Sequence, residues 1–169
     1  DSVKDEIDFP ARSAHSFQYL HRQENLTMSL LPALSLIASS FLLGAMLFFA
    51  SVAAPAIFKF LPEDARPPML RGIFPRYYAW CAVVALIASG LAAPVHTTPA
   101  AIMGAVTLGF LFLRYGLIPK IEIAREGRSQ GDEAARAQFA TLHRLSVFIN
   151  LAQMVATIAA VGLMVQAGV

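Results

Sequence analysis

Charged side chains are scarce in this sequence, and their scarcity decides its broad class. Asp, Glu, Lys and Arg make up only 14% of the 169 residues, whereas a soluble domain carries about 25%. Apolar residues account for 57%, and the mean hydropathy is +0.59. The formal net charge of +2 is too small to indicate a nucleic-acid partner. The composition therefore predicts an integral membrane protein embedded in a lipid bilayer.

Residues for covalent, metal or phosphate chemistry are also sparse. Cys81 is the only cysteine, so the chain can form neither an internal disulfide nor a CxxC zinc pattern. The histidines His15, His21, His96 and His143 have neither HExxH nor i,i+4 ligand spacing. Paired-carboxylate, nucleophile-elbow and phosphate-loop patterns are missing too. We therefore expect no enzyme activity, no bound metal and no cofactor.

Residues 1–27 differ from the rest of the chain. They are polar and mixed in charge, and they contain no apolar run of the kind found in a signal peptide. Met28 directly precedes the first apolar stretch. We therefore predict an extramembrane N-terminal tail, residues 1–27, followed by a transmembrane domain, residues 28–169. The tail is either an upstream extension, a processed segment or a functional arm.

The chain contains four apolar stretches of about the length that crosses a bilayer, which is roughly 20 helical residues. They cover residues of about 29–58, 75–93, 99–118 and 142–165. Pro75 and Pro99 suit first helical turns, and Pro94 and Pro119 suit helix ends. The short connection at 94–99 requires the second and third helices to be antiparallel neighbours. The predicted fold is an all-α, up-and-down four-helix membrane bundle.

Basic residues predict how the bundle is oriented. The first loop carries Lys59, Arg66 and Arg71, and the segment 120–136 carries four more basic residues. Both loops lie on the same side of a four-span bundle, and the turn at 94–99 is uncharged. Because basic loops stay in the cytoplasm, both termini are expected outside. The predicted location is the cell membrane, as a multi-pass protein, and the inner membrane if the source is bacterial.

The fourth span carries a polar stripe. His143, Ser146, Asn150, Gln153 and Thr157 are spaced 3, 4, 3 and 4 residues apart, so they share one helical face. Polar side chains in hydrocarbon need partners, so the stripe is expected to face the bundle interior. It either joins the helices by hydrogen bonds or lines a polar pathway or binding pocket.

Arg114 is a basic residue inside the third span, about three-quarters of the way along it. An arginine there needs a partner or must reach the membrane surface. Its partners could be neutral acceptors, carboxylates such as Glu63, Asp64 or Glu122, or an external anion. Together with His143, Ser146, Asn150 and Gln153, it forms the candidate polar site within the membrane.

Several short elements of the sequence form an ordered set. These are Phe48-Phe49…Val52…Pro55…Phe58, Ile73-Phe74-Pro75-Arg76-Tyr77-Tyr78, Arg114 with Pro119, and Phe139…Leu142-His143…Ser146…Asn150. In this order and spacing, residues of about 30–167 resemble the transmembrane-protein-205-like family, a domain of unknown function. The resemblance implies a four-helix membrane protein and no particular mechanism. The N-terminal tail lies outside it.

The first functional hypothesis is an accessory or assembly subunit of a larger membrane complex. Small size, few interior polar groups and the tail favour it. Phe17, Tyr19 and His21 are the candidate partner-binding residues, since aromatic and charged side chains alternate there. The alternative for the tail is a disordered segment or one bound at the membrane interface.

Two alternatives remain open. One is transport of a small solute along the stripe, for which a homo-oligomer would be needed because four helices are few for a transporter. The other is haem or metal handling, with His15, His21 and His96 all predicted outside. His96 and His143 lie at opposite membrane edges and cannot share one haem.

Overall fold

The structure is a computed structural model that describes residues 30–168. The predicted tail, with Phe17, Tyr19 and His21, therefore lies outside the described residues. Within them, 90% of the residues are helical and there is no strand. The helices are α1 (Leu30–Phe60), α2 (Arg66–Ala92), α3 (Thr97–Ser129) and α4 (Glu133–Gln166), and each is long and apolar enough to span a membrane. The predicted all-α four-helix class is confirmed.

Cross-helix contacts establish that neighbouring helices are antiparallel. Between α1 and α2, Ser35 bonds to the carbonyl of Ala88, whereas Phe49, further along α1, stacks on Tyr77. The same descending order relates α2 to α3 and α3 to α4. The sequence therefore folds up and down, with the N-terminal end of α1 beside the C-terminal end of α4.

Two prolines do not have the predicted roles. The prediction that Pro75 lies in a first turn is wrong, because α2 begins at Arg66 and Pro75 lies inside it. The start of α2 is instead occupied by Pro67, where the missing N–H would have no helical partner. The prediction that Pro119 ends its helix is also wrong, since α3 continues to Ser129.

A π-helical segment precedes each of two prolines that the helices accommodate. Phe49–Ala53 comes just before Pro55, and Phe112–Leu117 comes just before Pro119. Proline removes one N–H from an α-helical ladder. In these segments the carbonyl bonds five residues ahead instead, as from the N–H of Ile118 to the carbonyl of Leu113. Both helices therefore pass their prolines without ending.

The core lies between the four helices and contains few large side chains. Leu42 of α1, Tyr78 of α2, Phe110 of α3 and Met164 of α4 are fully or almost fully buried. Alanines fill much of the remaining α2 face, so the helices approach closely. Large apolar side chains such as Phe148 point outward instead, as expected for a surface in contact with lipid.

Candidate functional site

The polar stripe of α4 faces the bundle interior over most of its length. Ser146, Gln153 and Thr157 are buried, and Asn150 is half-buried. His143, at the end nearest the α3–α4 connection, is exposed. The structure therefore brings four of the five stripe residues into the interior and leaves His143 at its edge.

Two stripe residues join α4 to other helices. The amide Nε2 of Gln153 donates to the carbonyl oxygen of Val106 on α3 at 2.9 Å. The amide Nδ2 of Asn150 donates to the hydroxyl of Tyr78 on α2, also at 2.9 Å. Hydrogen bonds between membrane helices are worth about 0.6–2 kcal/mol each. These two bonds tie α4 to α2 and to α3.

The two remaining buried members of the stripe bond within their own helix. The Ser146 hydroxyl donates to the His143 carbonyl at 2.7 Å, and the Thr157 hydroxyl donates to the Gln153 carbonyl at 2.8 Å. Such bonds satisfy a hydroxyl without a partner helix. Because both hydroxyls are hydrogen-bonded, the burial of Ser146 and Thr157 costs the bundle little free energy.

Gly109 of α3 makes room for the Gln153 amide. A Cβ atom at position 109 would lie 2.6 Å from Gln153 Nε2 and 3.1 Å from its Cδ. Sequence analysis did not single out Gly109, although a glycine in the middle of an apolar helix often marks a close approach. At Gly104, one turn and a half earlier, an added Cβ would meet only Ser89 Oγ at 3.5 Å. Of these two glycines, Gly109 makes the closer approach to a neighbouring helix, and a Cβ at Gly127 would come equally near α4, 2.6 Å from Ala135 Cβ.

Arg114 reaches α2 from within the π-helical segment of α3. Its Nη1 donates to the backbone carbonyl of Pro75, and its guanidinium carbon lies 5.1 Å from the ring centroid of Tyr115. The Pro75 carbonyl is a neutral acceptor, which is one of the partners predicted for the Arg114 guanidinium. Its Nε is buried without a hydrogen-bond partner among residues 30–168. Arg114 and Asn150 contact α2 one helical turn apart, at Pro75 and Tyr78.

Glu122 forms an ion-pair network at the basic end of the bundle. Its carboxylate lies 2.7 Å from Nε of Arg71 on α2 and 2.8 Å from Nη1 of Arg125 on its own helix. Burial lowers the pKa of Arg125, and the Glu122 charge opposes that change. Arginine remains charged under such conditions. Glu122 therefore pairs with these two residues and not with Arg114.

Phe139 of α4 lies between this network and His143. The guanidinium carbons of Arg125 and Arg128 lie 5.6 Å and 4.3 Å from its ring centroid, within cation–π range. The His143 ring stacks on Phe139 with an interplanar angle of 3° and a centroid distance of 5.9 Å. This packing was not predicted from the sequence. In the sequence, only the spacing of Phe139 and His143, one helical turn apart, indicates a contact of this kind.

The described residues do not include a cluster of three or more His, Cys, Asp and Glu side chains that could hold a metal. His15 and His21, two members of the hypothetical metal site, lie outside residues 30–168. His96 lies at the α2–α3 turn, and its Nε2 is buried without a partner in the described part of the chain. The absence of a metal or cofactor stays a prediction.

Comparison with known proteins identifies a family. The family model for DUF4149, a domain of unknown function, matches residues 37–130, which is more than half of the chain. The chain belongs to this family. The narrower resemblance to the transmembrane-protein-205-like family stays a prediction. No curated protein and no solved structure matches the chain significantly.

Proposed function

We propose that this member of the DUF4149 family is an accessory or assembly subunit that binds a larger membrane complex. The observation that supports this proposal most is the close packing of Gln153 against Gly109, where an added Cβ would force the Gln153 amide to shift. The interior amides of Gln153 and Asn150 are engaged in helix contacts. Such an interior favours a packed scaffold, and it leaves the outer surface and the extramembrane segments as places for a partner.

A rigid hairpin at the basic end is one such segment. The helix α3 continues from Ile118 to Ser129, which is about 18 Å at 1.5 Å per residue. Asp132 caps α4 through the N–H groups of Ala134 and Ala135. On this hairpin Ile123 is 70% exposed. An exposed apolar side chain on a charged, preorganised hairpin is a suitable anchor for another protein.

The N-terminal tail is the second candidate segment, through Phe17, Tyr19 and His21. The predicted orientation puts tail and hairpin on opposite sides of the membrane. A membrane-spanning partner could contact both. The two segments are therefore tested separately.

The test is affinity purification in mild detergent followed by quantitative mass spectrometry. We compare wild type, a variant lacking residues 1–27, and Ile123→Ser. Val155→Ser is the matched control, because Val155 is a comparably exposed apolar residue in the middle of α4. We expect the deletion or Ile123→Ser to reduce the co-purified partner at least several-fold while Val155→Ser retains it. Unchanged recovery in both would count against these contacts.

Solute transport is the second candidate, and one observation favours it. Arg114 Nε and Gln153 Oε1 are both buried without a partner among the described residues, and Arg114 lies in a π-helical segment. Such segments are frequent at functional sites. A pathway would take a small anion past Arg114, within a homo-oligomer.

Chloride flux into proteoliposomes tests this candidate. Arg114→Ala should abolish flux without loss of folded protein, whereas Arg144→Ala should retain it. Arg144 is exposed at the end of the stripe and bonds only to the Ala140 carbonyl of its own helix. Equal flux through wild type and Arg114→Ala would rule out the Arg114 pathway for this ion.

A further inference from the structure

The outer surface of α2 carries an open groove at the basic end of the bundle. Its volume is about 540 Å³. The groove is independent of the proposed accessory role, because none of its lining residues carries that proposal. Its lining residues are Pro68, Met69, Gly72, Ile73, Arg76, Tyr77 and Trp80.

Arg76 is the charged side chain in this groove. It is exposed, and its Nη1 donates to the Gly72 carbonyl at 2.7 Å. This bond uses one of the five N–H donors of the guanidinium and holds the side chain along the helix. The positioned fork that results suits a phosphate group, which arginine binds through paired N–H groups.

Apolar residues line the groove on both sides of Arg76, and those on its C-terminal side are Tyr77 and, one turn along α2, Trp80. Trp80 is 40% exposed, and its ring packs edge-on against Phe41 of α1 at a centroid distance of 5.4 Å. Phe41 is itself 61% exposed. Arg76 and Trp80 are separated by about 6 Å along the helix axis. A cation followed by an aromatic ring at this spacing matches the change from headgroup to hydrocarbon in a bilayer.

We propose that this groove binds an anionic glycerophospholipid, with its phosphate on the Arg76 guanidinium and an acyl chain along Tyr77 and Trp80. Charge complementarity selects the headgroup. The nearby Arg71 is paired with Glu122, so Arg76 supplies the cation that faces the groove. A zwitterionic lipid also carries a phosphate, but its ammonium group would oppose the arginine. The preference for an anionic lipid is therefore set by Arg76.

Trp80 provides a direct readout, because it is the only tryptophan in the chain. Bromine atoms on an acyl chain quench tryptophan fluorescence on contact. The purified full chain is reconstituted in vesicles that contain either brominated phosphatidylglycerol or brominated phosphatidylcholine at equal mole fraction. We expect phosphatidylglycerol to bind beside Trp80 about five-fold more strongly, which is the effect of one basic residue at a membrane surface.

Arg76→Gln should remove this preference, whereas Arg144→Gln, at an exposed position of α4, should retain it. Arg76→Lys should retain part of it, because the charge remains and the fork is lost. Equal quenching of wild type by both lipids would overturn the proposal even if Arg76→Gln failed to fold. Persistence of the full preference in folded Arg76→Gln would overturn it as well. Displacement of the lipid by added inorganic phosphate would show that a free anion occupies the groove.

Discussion

Replacing Gly109 by alanine tests the close approach of α3 and α4 at Gln153. The added Cβ would lie 2.6 Å from Gln153 Nε2, so Gln153 must move and its hydrogen bond to Val106 is lost. Overpacking costs about 1–3 kcal/mol, and the lost bond costs about 0.6–2 kcal/mol. Alanine regains about 0.5–1 kcal/mol through helix propensity. Together these ranges predict that the free energy of unfolding falls by about 0.6–4.5 kcal/mol.

Equilibrium unfolding in mixed micelles, titrated with sodium dodecyl sulfate, measures this difference. Gly104→Ala is the matched control on the same helix, because its Cβ would make only an ordinary contact with Ser89 at 3.5 Å. We expect Gly104→Ala to be neutral or slightly stabilising.

A double variant distinguishes the contact between position 109 and Gln153 from the intrinsic effect of replacing a glycine in a helix. Gln153→Ala removes the side chain that meets the new Cβ. In that background Gly109→Ala should therefore cost little or nothing, and the two substitutions should be strongly non-additive. If Gly109→Ala is as stable as Gly104→Ala, or if its cost persists in Gln153→Ala, the close approach of α3 and α4 at this point is refuted.

Three further predictions concern the interior and the basic end. Tyr78→Phe and Asn150→Ala should show a coupling free energy of about 0.6–1.7 kcal/mol in a double-mutant cycle, and strict additivity would refute their hydrogen bond. Glu122→Gln should lower the free energy of unfolding by about 0.5–1 kcal/mol at low salt and by less at high salt, and a salt-independent effect would argue against an ionic cause. Cys81 is fully buried, so a maleimide should label it only after denaturation, and rapid labelling of the folded protein would contradict the packing.

Much of the fold follows from the sequence, because long apolar runs and short connections leave few alternatives. The four helices, their antiparallel order and the cap at Asp132 were all predictable from such signals. The helix ends near prolines could not be predicted from these signals. Pro119 in sequence indicates a helix end, whereas the π-helical segment at Phe112–Leu117 lets α3 continue. That accommodation depends on tertiary packing, which the local sequence does not specify.

The sequence predicts which polar residues of α4 share the face that points into the bundle. It does not predict which groups on the other helices they bond to. The 3,4 spacing identified Ser146, Asn150 and Gln153 as one face, and all three lie towards the interior. Which groups they bond to depends on the relative depth of the helices. Gly109 and Tyr78 acquire their roles only through that register. The membrane orientation, the candidate site and the boundaries at the membrane stay predictions.

The most direct test of the proposed accessory role is the composition of the native particle. The endogenous full chain is extracted from its membrane in mild detergent, and the mass and subunit stoichiometry of the particle are measured by native mass spectrometry. The proposal predicts a particle in which this chain is bound at fixed stoichiometry to another membrane protein. Recovery of the chain alone, as a monomer or homo-oligomer, would contradict it and would favour an autonomous role for Arg114 and the polar stripe.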